Sequence, residues 1–364
     1  MPKVLIADDS SVVRSQLTRW FQAEPEFGAV VAAEDGEAAV TQFQRVRPAL
    51  VVLDVEMPKL SGIQALEQIR LLDKRVPVVM FSTLTSAGSR QTVLALLAGA
   101  SDYTAKPGGD VSLEQARESL ITKAKTLLRH STRVLSPPAC VAPPLAPRGV
   151  EQRFRAPGPQ APARARGAGG WLIVVASSTG GPVALGEFLA GLGPAPPAPV
   201  LVVQHMPAMF LEILAQRLDA KSPLNVRVAT GQEEVSPGDV WLAPAGSHLE
   251  VRRFEEGAVL ALTDAPPENS CKPAADVLFL SAAAFAPRVV GVILTGMGMD
   301  GTRGAAAIKG AGGRIIAQDQ ESSVVWGMPG AAAAAGVVEW FGSPDELGRR
   351  AAEIAGLRVA PRLR

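Results

Sequence analysis

Short apolar runs alternate with longer stretches of helical periodicity over the first 128 residues of the chain. The runs lie at 4–7, 30–32, 50–53, 76–81 and 101–105, and the last helical stretch extends from about 112 to 128. Strands that alternate with helices in this way build parallel sheets, because each helix carries the chain back to the same edge. The pattern therefore predicts a doubly wound α/β domain with a five-stranded parallel sheet over residues 1–128.

The composition changes after this domain. Residues 129–168 are rich in Pro, Ala, Arg and Gly, and no apolar period survives. Proline fixes φ and removes a main-chain donor, so a semi-extended linker is expected here. Its arginines allow contact with an acidic partner, although a solvated spacer is the simpler interpretation.

The β/α alternation resumes at Trp171 and defines a second domain over residues 169–360. Apolar runs at 172–176, 200–204, 289–295 and 314–317 predict a doubly wound, mostly parallel α/β hydrolase sheet. Residues 239–251 and 258–263 are expected to form a small antiparallel addition around a turn at 252–257. A last helix is predicted from Ser343, as N-cap, to about residue 356.

One window, 277–296, is almost wholly apolar and about long enough to cross a bilayer. Pro287 and Arg288 divide it. We therefore expect a buried helix at 276–285, a buried strand at 289–294 and no membrane insertion.

The net charge and the number of cysteines limit the partners and the cellular compartment that are expected for the chain. The chain has 36 basic and 35 acidic residues, a near-balance that argues against nucleic acid as a partner. Its two cysteines, Cys140 and Cys271, are far apart and lack metal-ligand spacing. With no secretory signal at the start, a reducing, cytoplasmic location is expected.

Three carboxylates fall at the ends of predicted strands. Asp8 and Asp9 follow the first run, and Asp54 follows the third. Ligands of open α/β sheets gather at the carboxyl ends of strands, so these side chains are expected to share a pocket. The like charges would repel one another there. A Mg²⁺ ion, which prefers oxygen ligands, commonly offsets such repulsion. Thr83 and Lys106, after the fourth and fifth runs, complete a candidate phosphoryl-acceptor site.

The ordered segments ADDS, LDVEMP, ST and KP resemble the receiver domain of two-component response regulators, which has a flavodoxin-like fold. The resemblance implies that Asp54 accepts the phosphoryl group and that Tyr103 is the switch aromatic residue. It also implies a set of Mg²⁺ ligands: the side chains of Asp9 and Asp54, the main-chain carbonyl of Glu56, and Asp8 through water. The simpler alternative, that each acid caps a following helix, suits one Asp better than five matched positions.

The second domain begins with the segment WLIVVASSTGGP, residues 171–182. A buried strand stops at Ala176, and two glycines open a turn into a helix begun by Pro182. Ser178 lies in that turn, in a setting like a nucleophile elbow, although Ala176 stands where the G-x-S-x-G motif has glycine. Main-chain N–H groups at the start of the helix are suited to stabilise an oxyanion.

A serine nucleophile needs a base, and the chain has three histidines. His130 lies at the end of the last receiver helix, and His248 beside a turn of the antiparallel addition. His205 directly follows the strand at 200–204, at the same sheet edge as Ser178, and is the preferred base. Asp300, in the segment TGMGMDG after a third strand, is the candidate to orient its imidazole.

Each of these residues also has a simpler interpretation. Ser178 could be an N-cap, His205 a satisfied core histidine, and Asp300 a cap for the helix after Gly301. Singly, these interpretations are favoured. Together they require three polar residues at three parallel strand ends by coincidence, which favours a triad.

The segments ASSTGGP, QHMP, KPAADVLF and GMGMDG resemble the catalytic domain of the chemotaxis protein-glutamate methylesterase/glutaminase family. The resemblance implies that Ser178 is the nucleophile, His205 the general base and Asp300 the orienting acid. It makes the main-chain N–H of Met297 a candidate oxyanion donor, and it implies no cofactor for the hydrolase.

A receiver followed by this hydrolase implies an enzyme that removes methyl groups from glutamyl methyl esters on the cytoplasmic helices of chemoreceptors. The family also deamidates receptor glutamines, and a chemotaxis-type histidine kinase would be the phosphodonor. Two alternatives remain: the same chemistry in a non-chemotactic pathway, or a phosphorylation-controlled binding regulator with a vestigial hydrolase site. A transcription factor is disfavoured, because no basic helix-turn-helix follows the linker.

Overall fold

The computed structural model describes residues 1–83, 85–109, 111–133, 170–254 and 257–356. Most of the predicted linker, 129–168, lies outside these ranges. Its first residues, 129–133, continue the last helix of the N-terminal domain, which therefore extends further than the sequence pattern predicted.

The N-terminal domain is a five-stranded sheet in the order β2-β1-β3-β4-β5, and every pairing in it is parallel. Strands β1, β3 and β4 are buried along their whole length, which explains their unbroken apolar sequences. The predicted flavodoxin-like fold is confirmed. The elements are β1 (Val4–Ala7), α1 (Ser11–Gln22), β2 (Val30–Ala33), α2 (Gly36–Val46), β3 (Leu50–Asp54), α3 (Gly62–Leu72), β4 (Val78–Ser82), α4 (Ser86–Leu97), β5 (Asp102–Ala105) and α5 (Leu113–Arg133).

The second domain is a seven-stranded parallel sheet in the order β14-β13-β12-β6-β7-β9-β8, with a separate two-stranded hairpin, β10-β11. The predicted doubly wound hydrolase domain is confirmed. The elements are β6 (Leu172–Ser177), α6 (Gly181–Leu192), β7 (Val200–Gln204), α7 (Ala208–Lys221), β8 (Asn225–Val228), β9 (Asp239–Leu242), β10 (His248–Phe254), β11 (Gly257–Thr263), α8 (Ala275–Ala282), a 3₁₀ turn (Ala283–Phe285), β12 (Val289–Ile293), α9 (Thr302–Gly310), β13 (Arg314–Gln318), α10 (Met328–Ala334), β14 (Trp340–Gly342) and α11 (Pro344–Ile354).

The antiparallel addition is smaller than the sequence pattern predicted. Strands β10 and β11 pair antiparallel, with His248 opposite Thr263. Strand β9, which was expected to belong to this addition, instead pairs in parallel with β7 and β8. The physical reason is burial: Val240, Trp241 and Leu242 are all buried, and the interior of the parallel sheet accommodates such a continuous apolar run.

The apolar window at 277–296 divides as predicted. Helix α8 and the 3₁₀ turn occupy its first half, and the buried strand β12 follows. None of the helices in the described ranges is both long enough and apolar enough to cross a bilayer.

The receiver packs against the hydrolase through the face formed by β5 and α4. Helix α4 contacts α6 and α7. The ring of Tyr103, in β5, lies 4.6 Å from the ring of Phe210, in α7, measured between centroids. An exposed ion pair between Arg75 and Glu321, 3.2 Å apart, crosses the same boundary.

Candidate functional site

Three adjacent strands of the hydrolase sheet end at one edge. Ala176 of β6 is in register with Val203 of β7 on one side and with Ile293 of β12 on the other. The residues that follow these strands therefore meet at the carboxyl edge, where ligands of open α/β sheets bind. The sequence candidates Ser178, His205 and Asp300 all lie in these three connections.

Ser178 lies in a tight turn between β6 and α6, and its side chain is half-buried. Helix α6 begins with Gly180 as its N-cap, so Ser178 is not the cap of this helix. Gly180 has φ +77°, and a Cβ on it would lie 2.7 Å from Val324. Glycine is required there by both conformation and space.

Two buried polar side chains hold this turn in place. Gln204, the last residue of β7, donates through Nε2 to the carbonyl of Ser178, 3.0 Å, and accepts from the Ser177 hydroxyl, 2.5 Å. Thr295 donates its hydroxyl to the carbonyl of Thr179, 3.0 Å, and accepts the Ser178 N–H at its own carbonyl, 3.0 Å. The turn is therefore fixed from both neighbouring strands, as a preorganised site requires.

His205 Nε2 lies 2.8 Å from Asp300 Oδ2. Because Asp300 engages Nε2, the second nitrogen, Nδ1, is the one that can exchange a proton with another group. Nδ1 lies 3.9 Å from Cys271 Sγ. Among the described residues, Ser178 makes no direct hydrogen bond to His205, a separation that unliganded hydrolase sites often show before substrate tightens them.

Asp300 is buried, and both of its oxygens are fully engaged. Its Oδ2 accepts from His205 and from the Ala275 N–H, 2.6 Å. Its Oδ1 accepts from the N–H groups of Asp276 and Gly301, both 3.0 Å, and from Asn269 Nδ2, 3.1 Å. Burial raises the pKa of Asp300, but the hydrogen bonds from His205 and from the Ala275 and Asp276 N–H groups outweigh it and hold the pKa below its usual value.

The same hydrogen bonds pair two helices. Ala275 and Asp276 open α8, so Asp300 caps α8 from outside, and not the helix α9 that follows it in sequence. In return, Asp276 Oδ1 accepts from the Gly304 N–H in the first turn of α9, 2.8 Å. Asp300 thus accepts two first-turn N–H groups of α8, and Asp276 accepts one first-turn N–H group of α9.

The charge state of His205 follows from these neighbours. Burial lowers the pKa of His205, but the hydrogen bond to Asp300 and the contact with Cys271 outweigh it and raise the pKa to about 9. At neutral pH the resting imidazole is therefore mostly protonated and paired with the Asp300 carboxylate.

Met297 lies in a loop that passes directly beside Ser178. A Cβ on Gly296 would lie 2.8 Å from Ser178 Cβ, so the loop backbone approaches the serine directly. The N–H of Gly296 donates to Val325, and its carbonyl accepts from Gly327 and Met328. In the part of the chain that the structure describes, the Met297 N–H has no such partner and is available to an oxyanion.

The receiver pocket brings the predicted acids together. Lys106 Nζ lies 2.8 Å from Asp8 Oδ2 and 2.8 Å from Asp54 Oδ2. Burial raises the pKa of Asp54 to about 6, a shift that Lys106 opposes and Asp8 reinforces. A divalent cation would compensate the negative charge of these closely spaced, partly desolvated carboxylates.

The donor set fits Mg²⁺. One carboxylate oxygen from each of Asp8, Asp9 and Asp54 lies within 4.8 Å of the others, and Asp9 is exposed to solvent, so a partly hydrated ion has access. Glu56, whose carbonyl is a predicted ligand, already donates its N–H to Asp54. Thr83 follows the end of β4 and is exposed.

One strand of the receiver contacts the turn that carries Ser178. Just before and within β5, Ser101 accepts the Gly180 N–H at its carbonyl, 3.1 Å, and Asp102 Oδ2 accepts the Thr179 hydroxyl, 2.5 Å. Both bonds hold the turn that carries Ser178. Lys123 donates to Asp102 Oδ1, 2.8 Å, and compensates this buried charge. Burial raises the pKa of Tyr103, the residue that packs on the hydrolase.

Several positioning residues were missed by sequence reasoning. Gln204, Thr295, Asn269 and Asp102 act through hydrogen bonds between segments far apart in the chain. Only Gln204 and Thr295 carried a signal, as polar residues that end otherwise apolar strands.

Comparison with known proteins agrees with this geometry. Residues 173–351 match the family model "CheB methylesterase", and residues 4–118 match "Response regulator receiver domain". A protein-glutamate methylesterase/protein-glutamine glutaminase from Nocardioides is 46% identical over 343 residues, covering 93% of this chain and 91% of that protein. A second such protein, from Caulobacter vibrioides, is 43% identical and covers 95% of this chain and 96% of its own length.

A solved structure extends the likeness to three dimensions. The CheB methylesterase catalytic domain of Thermotoga maritima is 38% identical, with a TM-score of 0.50, and covers 50% of this chain and 98% of that chain. The chain belongs to the CheB methylesterase family of hydrolases, in the form that carries a response regulator receiver domain ahead of the catalytic domain.

Proposed function

We propose that this chain hydrolyses glutamyl methyl esters on the cytoplasmic helices of chemoreceptors and also deamidates receptor glutamines, in the cytoplasm and under control of its receiver. The observation that carries the proposal is the 2.8 Å hydrogen bond between His205 and Asp300, beside the turn that presents Ser178. The names of the relatives support the choice of substrate.

The chemistry divides into two acyl transfers. His205 Nδ1 takes the Ser178 hydroxyl proton as Oγ attacks the ester carbonyl, and the same nitrogen returns the proton to the departing methanol. Water then repeats the sequence on the acyl-enzyme and leaves a receptor carboxylate. Asp300 holds the imidazole by its other nitrogen and stabilises the imidazolium.

The developing oxyanion needs donors that are fixed beforehand. The N–H of Met297 is one candidate, and the first N–H groups of helix α6 are others. For a receptor glutamine the course is the same, except that ammonia leaves in place of methanol. No cofactor is required at this site.

The receiver supplies the control. Asp54 is the proposed phosphoryl acceptor, with a chemotaxis-type histidine kinase as phosphodonor, and Asp8, Asp9, Asp54 and the Glu56 carbonyl would hold Mg²⁺. The ion would offset the charge of the carboxylates and of the incoming phosphoryl group. Thr83 and Tyr103 would then rearrange, and the face of the receiver that packs on the hydrolase would loosen.

The binding-regulator alternative is weaker. A vestigial site would have no need of a buried Asp300 charge or of the hydrogen bonds from Gln204 and Thr295 that fix the Ser178 turn. Maintaining such features costs stability, which function explains better than chance.

The nucleophile can be tested directly. Ser178→Ala should lower methanol release from methylated receptor fragments by at least about a thousandfold, because no other group supplies the attacking oxygen. Ser177→Ala is the matched control, and it should keep a substantial part of the activity. A Ser178→Ala protein that remains active would move the nucleophile elsewhere.

The pH dependence follows from the charge state of His205. The base acts only when neutral, and its pKa lies at about 9, so kcat/KM should rise about tenfold per pH unit from 6 to 8, reach half its maximum near pH 9 and level off above it. In Asp300→Asn the plateau should be lower, and its midpoint should move to lower pH, because the anion that raises the pKa is gone. A profile that is flat from pH 6 to 9 would contradict the assignment of His205 as base.

Phosphorylation can be tested at the receiver. A small-molecule phosphodonor should label the chain only when Mg²⁺ is present, and Asp54→Asn should remove the label, whereas Asp73→Asn, at the far end of a receiver helix, should retain it. Mass analysis of the intact chain measures the label. Full labelling in excess chelator would refute the metal assignment of Asp8, Asp9 and Asp54.

A further inference from the structure

A cysteine lies beside the base of the hydrolase. Cys271 Sγ is 3.9 Å from His205 Nδ1, while His205 Nε2 is engaged by Asp300. One atom from each of the three residues lies within 4.8 Å of the other two. The order of groups, thiol, imidazole and carboxylate, is the one that activates a cysteine for nucleophilic attack.

The thiol is held in this position by its loop. Cys271 closes a four-residue turn in which it exchanges both main-chain hydrogen bonds with Glu268, 3.0 and 2.8 Å. The two central residues, Asn269 and Ser270, have φ of +52° and +61°, which defines a tight reversal. Asn269 Nδ2 donates to Asp276, 2.9 Å, and to Asp300, 3.1 Å, and so ties the turn to the triad acid.

The other side of the loop is equally fixed. The Ala274 N–H donates to Nδ1 of the fully buried His248, 3.1 Å. Cys271 is a free cysteine and is only half-buried, so small reagents in solvent have access to it. Placement and access together distinguish it from a buried, inert thiol.

The same three residues have the composition of a metal site, but the carboxylate argues against one. Asp300 accepts five hydrogen bonds, from His205, Asn269 and the N–H groups of Ala275, Asp276 and Gly301. A carboxylate offers about four lone-pair positions, so Asp300 has none left for an ion. The cluster is therefore suited to thiol chemistry.

We infer that Cys271 is a covalent modification site at which a low-molecular-weight disulfide, such as glutathione disulfide, forms a mixed disulfide that silences the hydrolase. In the forward step Cys271 releases its proton to solvent, the protonated imidazole of His205 stabilises the thiolate from 3.9 Å away, and Sγ attacks one sulfur of the reagent. The reagent S–S bond breaks, the new bond joins Sγ to one half, and the other half leaves as a thiolate that takes a proton from solvent. One disulfide and one thiol are consumed, and one mixed disulfide and one thiol are formed.

The consequence for activity follows from position. A group attached to Sγ occupies the space beside His205 Nδ1, the nitrogen that must take the proton of Ser178. This part of the inference rests on the proposed function, whereas the reactivity of Cys271 does not. Because a thiol reductant reverses the exchange, the silencing should be reversible.

The test uses the full-length chain carrying Cys140→Ser, which leaves Cys271 as its one thiol. Incubation with glutathione disulfide at pH 7.5 should add one glutathionyl group, located at Cys271 by peptide mass analysis. Methanol release should fall in proportion to the modified fraction, and dithiothreitol should restore both mass and activity. The matched protein with Cys271→Ser and Cys140 intact should keep its own starting activity under the same treatment.

A second variant tests the role of the imidazole. In the Cys140→Ser chain, His205→Gln keeps a side chain of similar size but carries no positive charge beside Sγ, so the rate of modification at pH 7.5 should fall several-fold. An unchanged rate would overturn the activation of Cys271 by His205. Complete modification without loss of esterase activity would overturn the silencing.

The two proposals fail in different ways. If the chain proves to have no esterase activity, the proposed function fails, yet the modification rates of the Cys140→Ser chain with and without His205→Gln still decide the reactivity of Cys271. If esterase activity is present and Cys271 takes up no glutathionyl group, only the modification site fails.

Discussion

The buried negative charge of Asp300 is the constraint around which the catalytic edge of the hydrolase is arranged. A carboxylate out of contact with water must be compensated, and each hydrogen bond to a charged group contributes about 1.5–3 kcal/mol. Five donors converge on it, two of them from the start of helix α8 and one from the loop that carries Cys271. The hydrogen bonds to Asp300 fix α8 against α9 and hold the 268–271 turn in place. His205 is the one titratable group among the five donors.

The reciprocal arrangement of Asp300 and Asp276 explains why two helices meet so closely at this point. Each acid accepts N–H groups from the start of the helix that belongs to the other. A Cβ on Gly304 would lie 2.3 Å from the Phe279 side chain, so the contact tolerates no larger residue. The packing of α8 against α9 fixes Asp300, and Asp300 in turn fixes the orientation of the His205 imidazole. The imidazole is therefore oriented before substrate binds.

Strand β5 links this edge to the receiver pocket. Lys106, just after the strand, contacts Asp54, and Asp102, its first residue, accepts a hydrogen bond from Thr179 beside Ser178. A strand of this length spans only about 13 Å, so a change in charge at Asp54 lies close to the turn that carries Ser178. Tyr103, between the two ends, packs on Phe210 of the hydrolase. A phosphoryl group on Asp54, as proposed, would compete for Lys106 and so would act on the same strand that holds the serine turn.

Much of this could be predicted from sequence because strand ends are local features. The apolar runs before Asp54, Ser178 and His205 predicted both the parallel sheets and the edge where polar residues gather. The pairing of β9 could not be read in this way, because a short apolar run does not reveal its partner strand. Asn269 and Asp102 were missed for the same reason: their partners lie in other elements, and no periodicity connects them. The helix that Asp300 caps was likewise set by tertiary packing and not by its neighbours in the chain.

The central claim is that the receiver holds the serine turn in a restrained state that phosphorylation releases. The most direct measurement is the rate at which a serine-directed fluorophosphonate labels Ser178 in the full-length chain, with and without a phosphodonor and Mg²⁺. The account predicts that labelling becomes several-fold faster on phosphorylation, and that Asp102→Ala, which removes the acceptor for Thr179, speeds it without phosphodonor. Equal rates in all three cases would contradict it, because they would show that the contacts of β5 with Thr179 and Gly180 do not limit access to the nucleophile.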